Sequence, residues 1–110
     1  MSMDIGKIGT DMGAAFLKSL KDKAPDIEAY AKSEGVKMAQ CLATIESLIV
    51  AGTISEDEAK LQLDIQKQAV RAILLTIKGL GVLAVEEAIN AALGVVKDVV
   101  NSTLGFDLIK

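Results

Sequence analysis

The residues whose types and spacing could carry chemistry are Glu34, Cys41, Ser55 with Glu58, the adjacent Glu86 and Glu87, and the glycines of KGLG at 78–81. Glu34 is the most demanding of these. It falls at helical spacing among Ile27, Ala31, Met38 and Cys41, and a carboxylate on an apolar face must find a charged or hydrogen-bonding partner. In an antiparallel hairpin that turns at 52–54 the position opposite 34 is near 72, so a buried ion pair between Glu34 and Arg71 is the leading expectation. A carboxylate metal site shared with Glu58 or Gln62 is the alternative.

The chain has no histidine. That removes the commonest general base, the Cys-His and Ser-His nucleophile pairs, most zinc and haem sites, and the Glu-x-x-His pairs of helical di-iron bundles. No Ser-x-x-Lys occurs. Glu86 and Glu87, as neighbours on a helix, diverge by about 100° and cannot flank one substrate bond as acid and base. Cys41 on an apolar face reads as a small buried hydrophobe with no nearby cation to activate it.

Gly79, Gly81 and Ala84 keep the G-x-G-x-x-A spacing of a dinucleotide loop, with Asp98 further along. Such a loop needs a parallel sheet behind it, and residues 1–70 offer no strands, so 79–81 reads as a kink in one long helix or a short turn between two. Asn101-Ser102-Thr103 matches a glycosylation acceptor, but no secretion signal accompanies it. The expectation is therefore no catalytic residue, no metal ligand set and no cofactor.

The elements that must position these residues are helices. A single proline, an apolar content of 51% and an aromatic content of only 3% describe a core of Ala, Leu, Ile and Val, which favours helices over a β-sandwich. A chain of 110 residues reads as one domain, 1–110. In the first segment Ile5, Ile8, Met12, Phe16 and Leu20 share a face, while Gly6, Gly9 and Gly13 weaken the helix. Residues 1–24 are thus either frayed and peripheral or held through a glycine face.

Pro25 suits the first turn of a second helix, expected over about 25–51 and ending at Gly52. Ser55 and Glu58 form a capping box after Ile54, which sits where a hydrophobic staple begins, and open a third helix over about 55–78. The second and third helices make an antiparallel hairpin. On the third, Lys60, Asp64, Lys67, Arg71 and Lys78 form one polar stripe and most else beyond 68 is apolar, which predicts burial on most sides. A last helix is expected over about 82–103, followed by FDLI at 106–109 as a docking tail. The fold class is all-α, a three- or four-helix bundle around the hairpin.

The net charge is -3, spread with no basic patch, and only Phe16, Tyr30 and Phe106 are aromatic, so nucleic acid is not expected as a partner. The apolar run 73–85 contains Lys78 and is shorter than the roughly 20 residues of a transmembrane helix. With one cysteine and no signal-like start, a cytoplasmic location is the simplest reading. Residues 72–96 carry three charges, more apolar surface than so short a chain can cover by itself. A sister chain meeting Ala84, Ala88, Ala91, Ala92 and Val95 accounts for the excess. The functional expectation is a small non-catalytic homo-oligomer with a structural, scaffold or interaction role. The alternatives are a bundle that holds an apolar small molecule or lipid, and a carboxylate metal-binding bundle.

Overall fold

The computed structural model describes residues 3–24 and 26–110. They form four helices and no strand: α1 (Ile5–Leu20), α2 (Ile27–Val50), α3 (Glu56–Leu75) and α4 (Val82–Leu104). Pro25, read above as opening the second helix, lies outside the described residues. Consecutive helices run antiparallel, so the architecture is an up-down-up-down all-α bundle.

Local signals set the boundaries. Asp4 caps α1 by accepting from the Lys7 N–H. At the end of α2 the chain turns left-handed at Gly52 (φ 71°), the Gly52 N–H donates to the Ile49 carbonyl and the Thr53 N–H to the Leu48 carbonyl. These are the paired bonds of a Schellman stop. The capping box opens α3: the Ser55 N–H donates to Glu58 Oε1 at 2.9 Å, and the Glu58 N–H donates to Ser55 Oγ at 3.1 Å. Residues 76–81 make a turn rather than a kink, because Gly79 sits at φ 97°, where no helix can continue.

The glycines that weaken α1 as an isolated helix are what its packing uses. Gly9 and Gly13 meet Gly35 of α2, and a Cβ built at position 35 would stand 2.8 Å from the Gly9 carbonyl oxygen. The two backbones therefore touch, which buries Gly9 and Gly13 and leaves Met12, Phe16 and Leu20 in the core with Ile27, Met38 and Leu42. On its other flank α1 packs closely against α4. At the far end the Met3 N–H donates to the Glu46 carboxylate of α2.

α3 is placed differently. It lies against α2 and α4 and makes no close approach to α1. Only Ala59, Leu63, Val70 and Leu74 of α3 are buried, so the expectation of a helix buried on most sides is overturned. Its polar stripe does not face solvent alone: Lys60, Lys67 and Arg71 are half-buried on the flank turned to α4 and the chain end. The tail after α4 folds back as expected. Leu108 and Ile109 are buried, and the Asn101 side chain clamps the tail, donating from Nδ2 to the Ile109 carbonyl at 2.8 Å and accepting at Oδ1 from the Ile109 N–H at 3.0 Å.

Candidate functional site

Glu34 is 1% exposed in the core face of α2, as its spacing requires. Its partner is not the expected one. Lys37, one turn further along the same helix, donates from Nζ to Glu34 Oε2 at 3.1 Å, while Oε1 is buried with no hydrogen-bond partner among the described residues. Arg71 instead donates to Glu86 of α4 across the α3–α4 seam. The Glu34–Arg71 pair is thus replaced by two separate pairs. The physical reason is rotational: the flank of α3 that carries Arg71 turns toward α4, and a half-buried guanidinium takes the carboxylate it faces.

The other candidate chemistry is used structurally. Glu58 is held by Ser55 in the cap at the hairpin end, and those hydrogen bonds, from the backbone first and the hydroxyl second, hold its carboxyl below the ordinary value of 4.5. Among the described residues no three Cys, Asp or Glu side chains come together in a way that could hold a metal ion. Burial raises the Cys41 thiol above its ordinary value, the opposite of activation. Gly81 opens α4 in extended conformation with no strand before it, and both ends of the Asn101 amide are occupied by the tail.

The small residues of α4 divide between two environments. Ala88 and Ala92 are 0% exposed, so they belong to the core of the chain itself and cannot meet a sister chain. Their size serves close helix approach within one bundle. Ala84 is half-buried, whereas Ala91 and Val95 are exposed and line a shallow groove against α1 with Ala14, Lys18 and Ser19.

An unpartnered apolar surface that organises along a helix lies elsewhere, on the outer face of α3. Leu61 is 59% exposed and Ile65 58%, with Ala69, Ala72, Ile73 and Leu75 continuing the face. A folded chain rarely leaves such a row uncovered without use. The sequence contained the signal as two apolar rows on opposite sides of the helical wheel, one through Leu63, Val70 and Leu74 and one through Leu61, Ile65 and Ala72. It did not say which row faces inward. A second apolar feature is a groove of about 370 Å³ between α1 and α2, walled by Ile5, Leu17 and Val36 over a floor of Gly9, Gly13 and Ala39.

No helix among the described residues is long and apolar enough to cross a membrane. No family model, curated protein or solved structure matches the chain.

Proposed function

We propose that this chain is a non-catalytic structural or interaction protein that works as a homo-oligomer, in a reducing compartment of which the cytoplasm is the simplest. The observation that carries the reading is the exposed apolar row on α3, on a helix that turns its cations toward α4 and its leucine and isoleucine toward solvent. Water contact along such a row costs about 25 cal/mol per Å² of apolar surface, and pairing with a like surface removes that cost. The use of Glu58 in a cap and Asn101 in a clamp, with Cys41 half-buried against the core, supports a role without catalysis. The test is absolute molar mass by size-exclusion chromatography with light scattering over a dilution series. A stable multiple of 11.5 kDa is expected, and a monomer at every concentration would refute the reading.

The α1–α2 groove favours a second reading, an apolar-ligand carrier. Its volume lies at the lower end of the range for small-molecule sites, and its walls are aliphatic. On this reading, mass spectrometry of the denatured protein finds a stoichiometric lipid or other apolar molecule. Clean protein counts against it.

A further inference from the structure

We propose that the cavity between α3, α4 and the chain end binds a medium-chain alkyl carboxylate. Its anionic head is held between Lys67 and Asn90, and its hydrocarbon lies along Leu63, Leu93, Leu108 and Ile109. The cavity is separate from the α1–α2 groove, and its use does not depend on how many copies assemble.

The cavity has a volume of about 340 Å³, at the lower end of the range for small-molecule sites. Its apolar lining comes from three elements: Leu63 of α3, Leu93 of α4, and Leu108 and Ile109 of the tail, all buried. The Asn101 clamp holds the tail in this position. One wall therefore rests on two specific hydrogen bonds.

The rim is short of acid. Along the α3–α4 seam Arg71 takes Glu86. One turn back on α3 and one turn on along α4, the antiparallel run sets Lys67 against Asn90, and both line the cavity. Asn90 is an amide where Glu86 is a carboxylate, so Lys67 meets no countercharge across the seam. Lys60 lines the same cavity, two turns earlier on the same face. Both lysines are half-buried, and neither makes an ion pair or a side-chain hydrogen bond among the described residues.

Asp64 also lines the rim and is spaced to reach either lysine, but it accepts from Gln68 Nε2 at 2.8 Å. The α3 side of the rim thus carries two cations and one acid. That surplus of a single positive charge is matched by a monoanion and exceeded by a doubly charged phosphate. Lys110 adds a further cation, but at an exposed position where water and salt screen it.

An unpaired ammonium facing an amide, beside an aliphatic wall, suits a carboxylate on a hydrocarbon chain. Lys67 Nζ and Asn90 Nδ2 each donate to the head, and burial of the methylenes against the leucines supplies the rest of the affinity. The face from Lys67 to Lys60 is about 10 Å long. A chain of medium length fills it.

The test is isothermal titration calorimetry of the full chain with decanoate below its micellar concentration. Saturation at a single decanoate per chain is expected, with decanol about 10-fold weaker. Lys67→Gln should weaken decanoate about 10-fold and leave decanol unchanged. Asn90→Asp supplies the missing acid, so Lys67 pairs across the seam and decanoate binding is lost while the fold is kept. Gly94 lines the cavity, and a Cβ there would meet nothing within 4 Å. Gly94→Leu should therefore fill the space and abolish binding of decanoate and decanol alike. Bound decanoate should also slow carboxypeptidase at the tail, which forms one wall. Absence of decanoate binding overturns the proposal. So does binding that survives both Asn90→Asp and Gly94→Leu, which would move the ligand to the α1–α2 groove. Tighter binding of decyl phosphate than of decanoate would overturn the carboxylate head. If Gly94→Leu does not fold, the Lys67 and Asn90 variants alone decide.

Discussion

The backbone of Gly35 on α2 lies directly against Gly13 on α1: a Cβ at 35 would stand 2.6 Å from the Gly13 nitrogen and 2.8 Å from its Cα. Both neighbours are main chain, so no rotamer change can make room. Replacing Gly35 with alanine must push the helices apart and is expected to lower stability by about 3 kcal/mol, as overpacking does. Gly94, mid-helix in α4, gives the contrast, since a Cβ there would meet nothing within 4 Å. Gly94→Ala should raise stability by about 0.5–1 kcal/mol through helix propensity alone. Urea denaturation midpoints of the two variants check both signs.

Glu34 provides the second prediction. With one carboxylate oxygen buried and unpartnered, and with Lys37 half in solvent, the pair loses more in desolvation than it regains. Glu34→Met should stabilise the fold by about 1 kcal/mol. A double-mutant cycle should find no coupling between Glu34 and Arg71, and about 0.5 kcal/mol between Arg71 and Glu86, which is half exposed and screened. Loss of stability in Glu34→Met would mean that the carboxylate has a partner of greater worth.

The hairpin cap has a pH signature. Ser55→Ala should cost about 1 kcal/mol, because it strips one partner from the first turn of α3. The Glu58 carboxyl is held below 4.5 in the folded chain by Ser55. A carboxyl depressed on folding contributes stability that is fully present above its unfolded value and is lost as the pH falls through its folded value. The stability difference between wild type and Glu58→Gln should therefore be present at neutral pH and vanish in strong acid. A difference that grows on acidification would show that the cap does not depend on the ionised form.

The clamp on the chain end offers a local test. Asn101→Ala removes both hydrogen bonds to Ile109 and should cost about 1–2 kcal/mol in docking of the tail. Carboxypeptidase should then remove Ile109 and Leu108 faster than from the wild type. The four helices should keep their circular dichroism, since Asn101 is not part of the buried core. Unchanged digestion would show that burial of Leu108 and Ile109 holds the tail without the clamp.

What the sequence determined by itself is local. Helix class, the Gly52 stop, the Ser55–Glu58 start, the hairpin between α2 and α3, and the burial of Glu34 each follow from bonds or periodicities that span a few residues. Only the tertiary structure decided which way each helix is rotated. Arg71 and Ala72 are neighbours in sequence, yet one reaches Glu86 while the other faces solvent, and Ala88 and Ala92 are consumed by the core. A helical wheel with two apolar rows has two nearly equivalent ways to pack. The choice between them for α3 depends on how α1 and α2, drawn together through Gly13 and Gly35, leave space beside α4 for one row and none for the other. That space is a property of all four helices at once, and no short stretch of the chain encodes it.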